Sequence, residues 1–112
     1  MSVNIENIKS QMRKGFLEFC ILNIIHSKEY YVSDIIKELK KANLIVVEGT
    51  LYPLLMRLKN SGLLTYSWIE SSQGPPRKYY IITDEGKNVL LELNSAWEEI
   101  KSSVELLKSN NL

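Results

Sequence analysis

Three observations predict an α+β, mostly α fold: a winged helix-turn-helix domain followed by a long C-terminal dimerisation helix. Apolar residues recur at spacings of three and four in four segments, which is typical of amphipathic helices. Two segments rich in aromatic and β-branched residues flank a Gly-Pro turn, which indicates a β-hairpin. The hairpin follows the third helical segment. This is the element order of a winged helix-turn-helix domain, in which the second and third helices read DNA.

Size and composition limit the chain to one small globular unit. It has 112 residues, of which 45% are hydrophobic and 24% charged, and this leaves no room for a catalytic domain beside a regulatory one. The single Cys20 lies in an apolar run and has no disulfide partner. No leader-like segment opens the chain, and no apolar run approaches the roughly 18 residues of a membrane span. We therefore expect a cytoplasmic protein that does not contact a membrane.

The charge is distributed unevenly along the chain. The net charge is +1 overall, but residues 1–82 carry +4 and residues 83–112 carry −3. A basic body suits a phosphate-binding module, and an acidic last helix suits a separate protein-contacting element. Charge differences of this size between two parts of a chain are also common by chance. The domain assignment therefore rests on the order of the predicted elements. This order predicts a DNA-binding domain over residues 1–82 and a dimerisation helix over residues 83–112.

The first two helices are predicted from their apolar spacing. One continuous helix is expected over residues 5–27, and its second half is apolar on nearly every side, which indicates burial. After a short break, a narrow apolar stripe around Ile35 predicts a second helix that ends near Lys41. Residues 44–47 are mostly β-branched and predict a short lone strand.

The third helix carries the predicted DNA contacts. Glu48 is expected to cap it, it runs to about Asn60, and Pro53 places its start no earlier than Gly49. One face holds leucines and is predicted to be buried, so the opposite face would point into the major groove. The candidate contacts on that face are Gly49, Thr50, Tyr52, Arg57 and Lys59. Cations can reach phosphates or base edges, hydroxyls can donate to phosphate oxygens, and glycine permits close backbone approach. Each residue taken alone also fits a solvated surface helix.

The hairpin is expected to form the wing. Strands are predicted over residues 63–69 and 79–82, with an exposed turn at residues 71–76. Arg77 and Lys78 follow this turn, where a wing lays cations along a phosphate backbone. A Pro-Gly turn is also the ordinary way to close a hairpin, but the basic pair coincides with the element order.

The last helix has the sharpest pattern in the chain. Thr83 is expected to cap it, and it should run almost to the C-terminus. Its apolar residues follow the a/d repeat of a coiled-coil seam: Leu90, Leu93, Trp97, Ile100, Val104 and Leu107. At about 25 residues, or ~38 Å, the helix is longer than so small a domain can cover, so part of the seam should contact a second subunit of a homodimer.

Trp97 stands at the middle of this seam. An indole is large for a tight two-stranded interface, so the helices are expected to splay there and leave a cavity. Two roles for Trp97 stay open on the sequence alone: a plain interface anchor, or a surface on which a bound ligand stacks.

Neither a catalytic site nor a metal or cofactor site can be assembled from these residues. His26 is the only histidine, and neither a cysteine nor a second histidine is near it. A Gly-rich phosphate loop and a nucleophile elbow are both absent from the sequence. We therefore predict no enzyme activity, no metal and no cofactor.

Three motifs resemble the PadR family of bacterial transcriptional regulators. They are Lys14-Gly15-Phe16-Leu17, the run from Glu48 to Leu58 followed by Gly62-Leu63-Leu64, and Arg77-Lys78-Tyr79-Tyr80 leading into Thr83-Asp84-Glu85-Gly86. Together they cover most of residues 15–97 in the expected order. Trp68, Trp97 and the single short C-terminal helix are similar to the compact PadR subgroup that contains a multidrug-binding repressor.

The resemblance implies a homodimeric repressor that a signal releases from operator DNA. It also implies that each C-terminal helix contacts the partner's first helix, with the two Trp97 side chains facing each other across a ligand channel. The sequence departs from the family pattern at two places. It has Tyr31-Val32-Ser33 where the family often has Tyr-Gly-Tyr, and it has Pro76 in the wing where the family often has a basic residue. The prediction is a ligand-responsive regulator of double-stranded operator DNA with a planar apolar effector. The alternative is a winged-helix adaptor that binds proteins and not DNA.

Overall fold

The computed structural model describes residues 3–71 and 73–111. The described elements are α1 Ile5–Lys14, α2 Leu17–Ile25, α3 Val32–Lys41, α4 Glu48–Asn60, β1 Leu64–Ser71, β2 Gly74–Ile82 and α5 Asp84–Asn111. The two strands form one antiparallel sheet. This confirms the mostly helical α+β fold with a hairpin and a long last helix. Over the described ranges, no helix is both long and apolar enough to span a bilayer.

The prediction of one continuous helix over residues 5–27 is wrong, because the chain turns at Gly15 and Phe16. The Phe16 amide donates to the Arg13 carbonyl at 3.0 Å, and the Cys20 amide then donates to the Phe16 carbonyl at 2.9 Å as α2 begins. Glycine has weak helix propensity, costing about 1 kcal/mol relative to alanine in a helix interior. The turn lets α2 enter the core while α1, which has no buried residue, lies outside it.

Helix α2 is the centre of the hydrophobic core. Its Ile21, Leu22 and Ile25 are almost fully buried, since α3, α4, α5 and β2 all contact this helix. The surrounding elements contribute Ile35, Leu39, Leu51, Leu55, Leu58, Leu64, Tyr80, Ile82 and Leu90. The leucine face predicted for α4 is therefore confirmed, with Leu54 half-buried at its edge.

Helices α3 and α4 end in the same hydrogen-bonded motif. After α4, Gly62 adopts φ +80°, the Leu63 amide donates to the Leu58 carbonyl, and the Gly62 amide donates to the Lys59 carbonyl, both at 3.0 Å. These are the two bonds of a Schellman motif. Asn43, with φ +63°, plays the same part after α3. Both helices therefore stop at a residue suited to the left-handed conformation.

The start of α4 differs from the prediction in two details. Val47 occupies the N-cap position in place of Glu48, and no side chain caps the helix there. Pro53 consequently lies inside the helix, beyond its preferred first turn. In a helix the carbonyl of Gly49 would accept a hydrogen bond from the amide of residue 53. Proline has no amide hydrogen, so this bond is missing and the carbonyl lies at an exposed residue.

Residues 44–47 pair with no strand that the structure describes, so the predicted lone strand is not formed there. The edge of β2 is instead occupied by Tyr30, whose amide donates to the Tyr80 carbonyl at 3.1 Å and whose carbonyl accepts from the Tyr80 amide at 2.8 Å. A strand requires a pairing partner, and among the described residues none pairs with 44–47. Leu44 and Val46 still pack on the core, while Ile45 and Val47 face solvent.

The hairpin is longer than predicted. Pairing runs from Leu64 opposite Ile82 to Ser71 opposite Gly74, so β2 begins at Gly74 and not at residue 79. The two prolines at the start of β2 are compatible with pairing because each strand of a two-stranded sheet has a free edge. Arg77 and Lys78 thus lie within a strand and not at the end of a loop.

Helix α5 begins at a compact junction with the preceding elements. The Thr83 hydroxyl accepts from the Gly86 amide at 2.9 Å and donates to the Gly62 carbonyl at 2.7 Å, which confirms Thr83 as the cap. The Thr83 amide donates to the Leu63 carbonyl at 3.0 Å. A Cβ atom added at Gly86 would lie 2.2 Å from the Leu63 oxygen and 2.7 Å from Ile82 Cγ1. The helix therefore contacts the chain directly between α4 and the hairpin.

We expect Gly86→Ala to lower the free energy of unfolding by about 1–3 kcal/mol, because the new methyl group overlaps a backbone oxygen. Gly15→Ala is the control, since an added Cβ meets nothing within 4 Å there, and it should be neutral or stabilising by up to about 1 kcal/mol. Urea unfolding at one fixed protein concentration measures both, because self-association would otherwise alter the midpoint. If both substitutions changed the free energy of unfolding equally, the result would contradict the close approach of α5 to the Leu63 backbone.

Candidate nucleic-acid interface

The exposed face of α4 begins with the residues predicted to contact DNA. Burial of Leu51 and Leu55 turns Gly49, Thr50 and Tyr52 toward solvent in the first half of the helix. An added Cβ at Gly49 would meet nothing within 4 Å, so the fold itself does not require glycine there. A bare backbone on an exposed helix is available for close approach by a ligand.

The two cations of α4 point away from each other. Arg57 Nη2 donates to Glu18 Oε1 of α2 and forms an ion pair with it. Sequence spacing did not show this partner, which neutralises part of the charge expected to face DNA. The Arg57 side chain remains 64% exposed, and exposed ion pairs are weak, so the pair does not hold it rigidly. Lys59 instead reaches toward the hairpin, with Nζ 5.6 Å from the centre of the Tyr66 ring.

Lys78 lies among aromatic rings on one face of the hairpin. Its Nζ is 4.2 Å from the centre of the Tyr66 ring, 5.2 Å from Trp68 and 5.7 Å from Tyr80. Ammonium groups at such distances are attracted by the quadrupole of the ring, by about 0.5–1 kcal/mol at exposed sites. The side chain is therefore held on the face that α4 also contacts.

Arg77 lies on the opposite face of the hairpin, because successive residues of a strand alternate. Its guanidinium carbon is 3.5 Å from the centre of the Tyr31 ring, and Nη2 donates to Ser33 Oγ at 3.2 Å. The Tyr31 ring also contacts Tyr79, with 3.6 Å between ring centres. Arg77 thus connects the hairpin to the start of α3, and it does not act beside Lys78 as the sequence suggested.

Two tyrosines of β2 remain neutral well above physiological pH. A hydrogen bond with the Tyr31 side chain is the main cause that raises the pKa of Tyr79 to about 12. Burial is the main cause that raises the pKa of Tyr80. Neither phenol therefore adds negative charge next to Arg77 or Lys78.

Trp97 packs against two phenylalanines of its own chain. The ring centres of Phe16 and Trp97 are 5.0 Å apart in an edge-on arrangement, and those of Phe19 and Trp97 are 6.4 Å apart. These rings border an apolar cavity of about 450 Å³, within the range of small-molecule sites. The cavity is also lined by Met12, Arg13, Leu17, Cys20 and Leu44. Burial raises the pKa of the Cys20 thiol, which keeps it protonated.

The predicted seam of α5 divides into two halves. Leu90 is only 6% exposed and Leu93 packs against the same core, so these two offer little surface to a second subunit. This corrects the expectation that Leu90 contacts a partner: the N-terminal part of α5 covers its own domain. Ile100, Val104 and Leu107 are 45%, 47% and 62% exposed. The part of the seam open to a partner therefore begins after Trp97.

Helix α1 has a second exposed apolar face. Ile5, Ile8 and Met12 are one helical turn apart, and all three are exposed. Met12 also borders the Trp97 cavity. The apolar surface of α1 therefore continues into the Trp97 cavity.

The chain matches the family model of the transcriptional regulator PadR-like family over residues 21–92. It belongs to that family. A solved PadR-like transcription factor from Bacteroides fragilis is 58% identical, with a TM-score of 0.77 and coverage of 90% of this chain and 98% of that chain. A PadR family regulator from Eggerthella lenta is 32% identical, with a TM-score of 0.87 and coverage of 96% and 94%. A protein from Lysinibacillus sphaericus is 32% identical over 102 residues, 88% of this chain and 94% of its own.

Membership confirms the resemblance seen in the three sequence motifs. The family and the solved relatives are transcriptional regulators and not enzymes, which makes this chain a PadR-like transcriptional regulator and implies that it binds DNA. Within the described ranges, no group of three or more His, Cys, Asp and Glu side chains is arranged to hold a metal ion.

Sequence reasoning missed the side chains that orient the predicted site residues of this PadR-like regulator. They are Glu18 for Arg57, Tyr31 and Ser33 for Arg77, Tyr66 for Lys59 and Lys78, and Phe16 and Phe19 for Trp97. One signal was available: Tyr66 and Trp68 alternate along β1 and so share a face. The other contacts join residues of separate elements of the fold.

Proposed function

We propose that this PadR-like regulator is a homodimeric, ligand-responsive repressor that binds double-stranded operator DNA through α4 and the hairpin. The observation that carries the proposal is that α1 has no buried residue in its own chain. Isolated helices shorter than about 12–15 residues are marginal in water, and α1 has 10 residues. Packing against another protein surface would stabilise it.

A second subunit supplies a surface of the required kind. Ile5, Ile8 and Met12 of α1 form one apolar stripe, and Ile100 and Val104 of α5 form another. In a twofold dimer, α1 of one protomer can cover α5 of its partner, and symmetry forms the same contact twice. Burying both stripes removes apolar surface that would otherwise promote aggregation.

The same arrangement supports an effector site at Trp97. The 450 Å³ cavity is lined by Met12, which belongs to the apolar stripe of α1, and by Trp97, which precedes the stripe of α5. A partner placed there would close the groove around a planar apolar molecule that stacks on the indole. Aromatic stacking contributes about 0.5–1.5 kcal/mol beyond area burial.

Ligand and DNA binding would be coupled through α5. A twofold dimer reads successive major grooves when its recognition helices are about 34 Å apart. Because Thr83 and Gly86 connect α5 directly to the end of α4, a ligand that displaces α5 would alter this distance. Effector and operator then oppose each other's binding, as reciprocal linkage requires.

The alternative is a winged-helix adaptor that binds proteins. Two observations favour it: Arg57 is paired with Glu18, and Arg77 is held by Tyr31 and Ser33. The first contact neutralises part of the positive charge on the surface expected to face DNA, and the second occupies the Arg77 side chain while it keeps its charge. Direct measurement of DNA binding distinguishes the two functions.

We expect Gly49→Ala to weaken operator binding at least about fivefold, the effect of losing one contact of about 1 kcal/mol. The folded protein should be equally stable or stabilised by up to about 1 kcal/mol, since there is space for the methyl group and alanine favours helix. Fluorescence anisotropy with the gene's own upstream DNA measures affinity, and urea unfolding measures stability. Unchanged affinity, or no binding by the wild-type chain, would favour the adaptor.

We expect Val104→Asp to convert the dimer to a monomer at micromolar concentration, because a carboxylate would be buried at the interface. Leu106→Asp is the matched control: Leu106 is exposed on the same helix but lies off the seam. Sedimentation velocity on the full chain separates the two forms. A wild-type protein that is monomeric at these concentrations, or dissociation by both variants, would contradict the proposed interface.

We expect Trp97→Ala to weaken the binding of planar apolar dyes at least about tenfold, whereas Trp97→Phe should keep part of the stacking. The chain has two tryptophans, so Trp68→Phe leaves Trp97 as the only indole and its quenching reports dye binding directly. Bound dye should also lower operator affinity. Equal dye affinity in wild type and Trp97→Ala would leave Trp97 as an interface anchor.

A further inference from the structure

Lys59 of α4 and Lys78 of β2 approach the same aromatic ring. Their Nζ atoms lie 5.6 Å and 4.2 Å from the centre of Tyr66, so the two ammonium groups are less than 10 Å apart. One lysine belongs to the recognition helix and the other to the hairpin. Tyr66 is therefore the point at which the positive charges of these two elements meet.

Both lysines border one small cavity. Its volume is about 90 Å³, and Tyr66, Tyr80, Leu55 and Met56 complete the lining. One water molecule occupies about 30 Å³ of liquid, so the space suits a few waters or one tetrahedral anion. Since it lies at the junction of helix and hairpin, an anion bound there would contact both elements.

Both side chains that bring charge to this cavity are lysines. Four of the other lysines form ion pairs with a glutamate three residues earlier: Lys9, Lys41, Lys101 and Lys108. Among the residues that the structure describes, no carboxylate forms such a pair with Lys59 or Lys78. Two ammonium groups that share a ring without a counter-charge repel each other, and an anion between them removes this repulsion.

We propose that Lys59 and Lys78 form a two-lysine clamp for a single DNA backbone phosphate, with Tyr66 as the positioning residue between them. The ring attracts both ammonium groups and limits the space each explores. Lysine side chains are flexible, with three rotatable donors, so the two can converge on one phosphate from opposite sides. The clamp rests on the proposed function, because it assigns one phosphate contact within the α4–hairpin surface.

The clamp assigns different roles to the two neighbouring cations of β2. Lys78 binds phosphate together with α4, whereas Arg77 is engaged with Tyr31 and Ser33 on the other face. The single phosphate also fixes the distance between recognition helix and hairpin on the duplex. It contributes no sequence preference, because phosphates are the same at every base pair.

The salt dependence of DNA binding tests the clamp. Each neutralised phosphate contributes about 0.9 to the slope of log affinity against log salt. The double variant Lys59→Ala/Lys78→Ala should therefore reduce the slope by about 0.9, whereas lysines on separate phosphates would give about 1.8. Lys108→Ala is the control, because Lys108 pairs with Glu105 near the end of α5, and its slope should equal that of wild type.

Tyr66 is tested by two substitutions in the same assay. Tyr66→Phe keeps the ring and should retain the wild-type slope, whereas Tyr66→Leu should reduce it toward that of the double-lysine variant. A merely structural role would lower affinity at every salt concentration without changing the slope. Circular dichroism and thermal unfolding confirm that both variants are folded.

The outcomes separate this clamp from the proposed function. Upstream DNA and a scrambled duplex of equal length serve as probes for every variant. A slope change of about 1.8 in the double variant, or a wild-type slope in Tyr66→Leu, overturns the clamp alone. If the wild-type protein binds both duplexes with equal affinity and the variants show the predicted slopes, the result supports the clamp and contradicts operator recognition. Absence of binding to either duplex at low salt overturns both.

Discussion

The direction of α5 depends on the hydrogen bonds of one threonine. The Thr83 hydroxyl bonds both the end of α4, at Gly62, and the first turn of α5, at Gly86. The missing side chain at Gly86 lets α5 approach the Leu63 backbone, which a Cβ would prevent. The end of α4 and the start of α5 therefore meet at one junction, through which the proposed coupling between effector and operator would pass.

The hairpin is held in place on both of its faces. On one face Arg77 and Tyr79 contact Tyr31, which precedes α3. On the other face Lys78 and Tyr66 lie beside Lys59 of α4. Each cation–ring contact is worth only about 0.5–1 kcal/mol at an exposed position, but together they connect the hairpin to both helices of the DNA-reading pair. Arg77 therefore joins the hairpin to α3, whereas Lys78 lies beside α4, where we propose that it binds phosphate.

A small chain combines several tasks because its helices change roles along their length. The first half of α5 completes the core through Leu90, and its second half exposes Ile100 and Val104. The turn at Gly15 and Phe16 likewise separates the exposed α1 from the buried α2. Phe16 and Trp97 meet where these transitions occur, beside the apolar cavity. The core, the proposed dimer surface and the proposed effector site are therefore continuous.

The sequence by itself determined the order of elements, the leucine face of α4, the Thr83 cap and the family. These features depend on local periodicity, capping and short motifs, which neighbouring residues specify. Three predictions from the sequence were wrong: one continuous helix in place of α1 and α2, a strand at residues 44–47, and the start of β2 at residue 79. A strand depends on its pairing partner, and no described residue pairs with 44–47. Glycine at position 15 permits a turn without requiring one.

Only the tertiary structure decided which site residues act together. Arg77 and Lys78 are adjacent in sequence, yet strand alternation places them on opposite faces and gives them different partners. Arg57 meets Glu18 and Lys59 meets Tyr66 through contacts between separate elements, which no local pattern encodes. The division of the α5 seam after Trp97 has the same origin, since the size of the folded core determines how far the helix is covered. Periodicity reveals which face of a helix is apolar, and the fold determines what covers it.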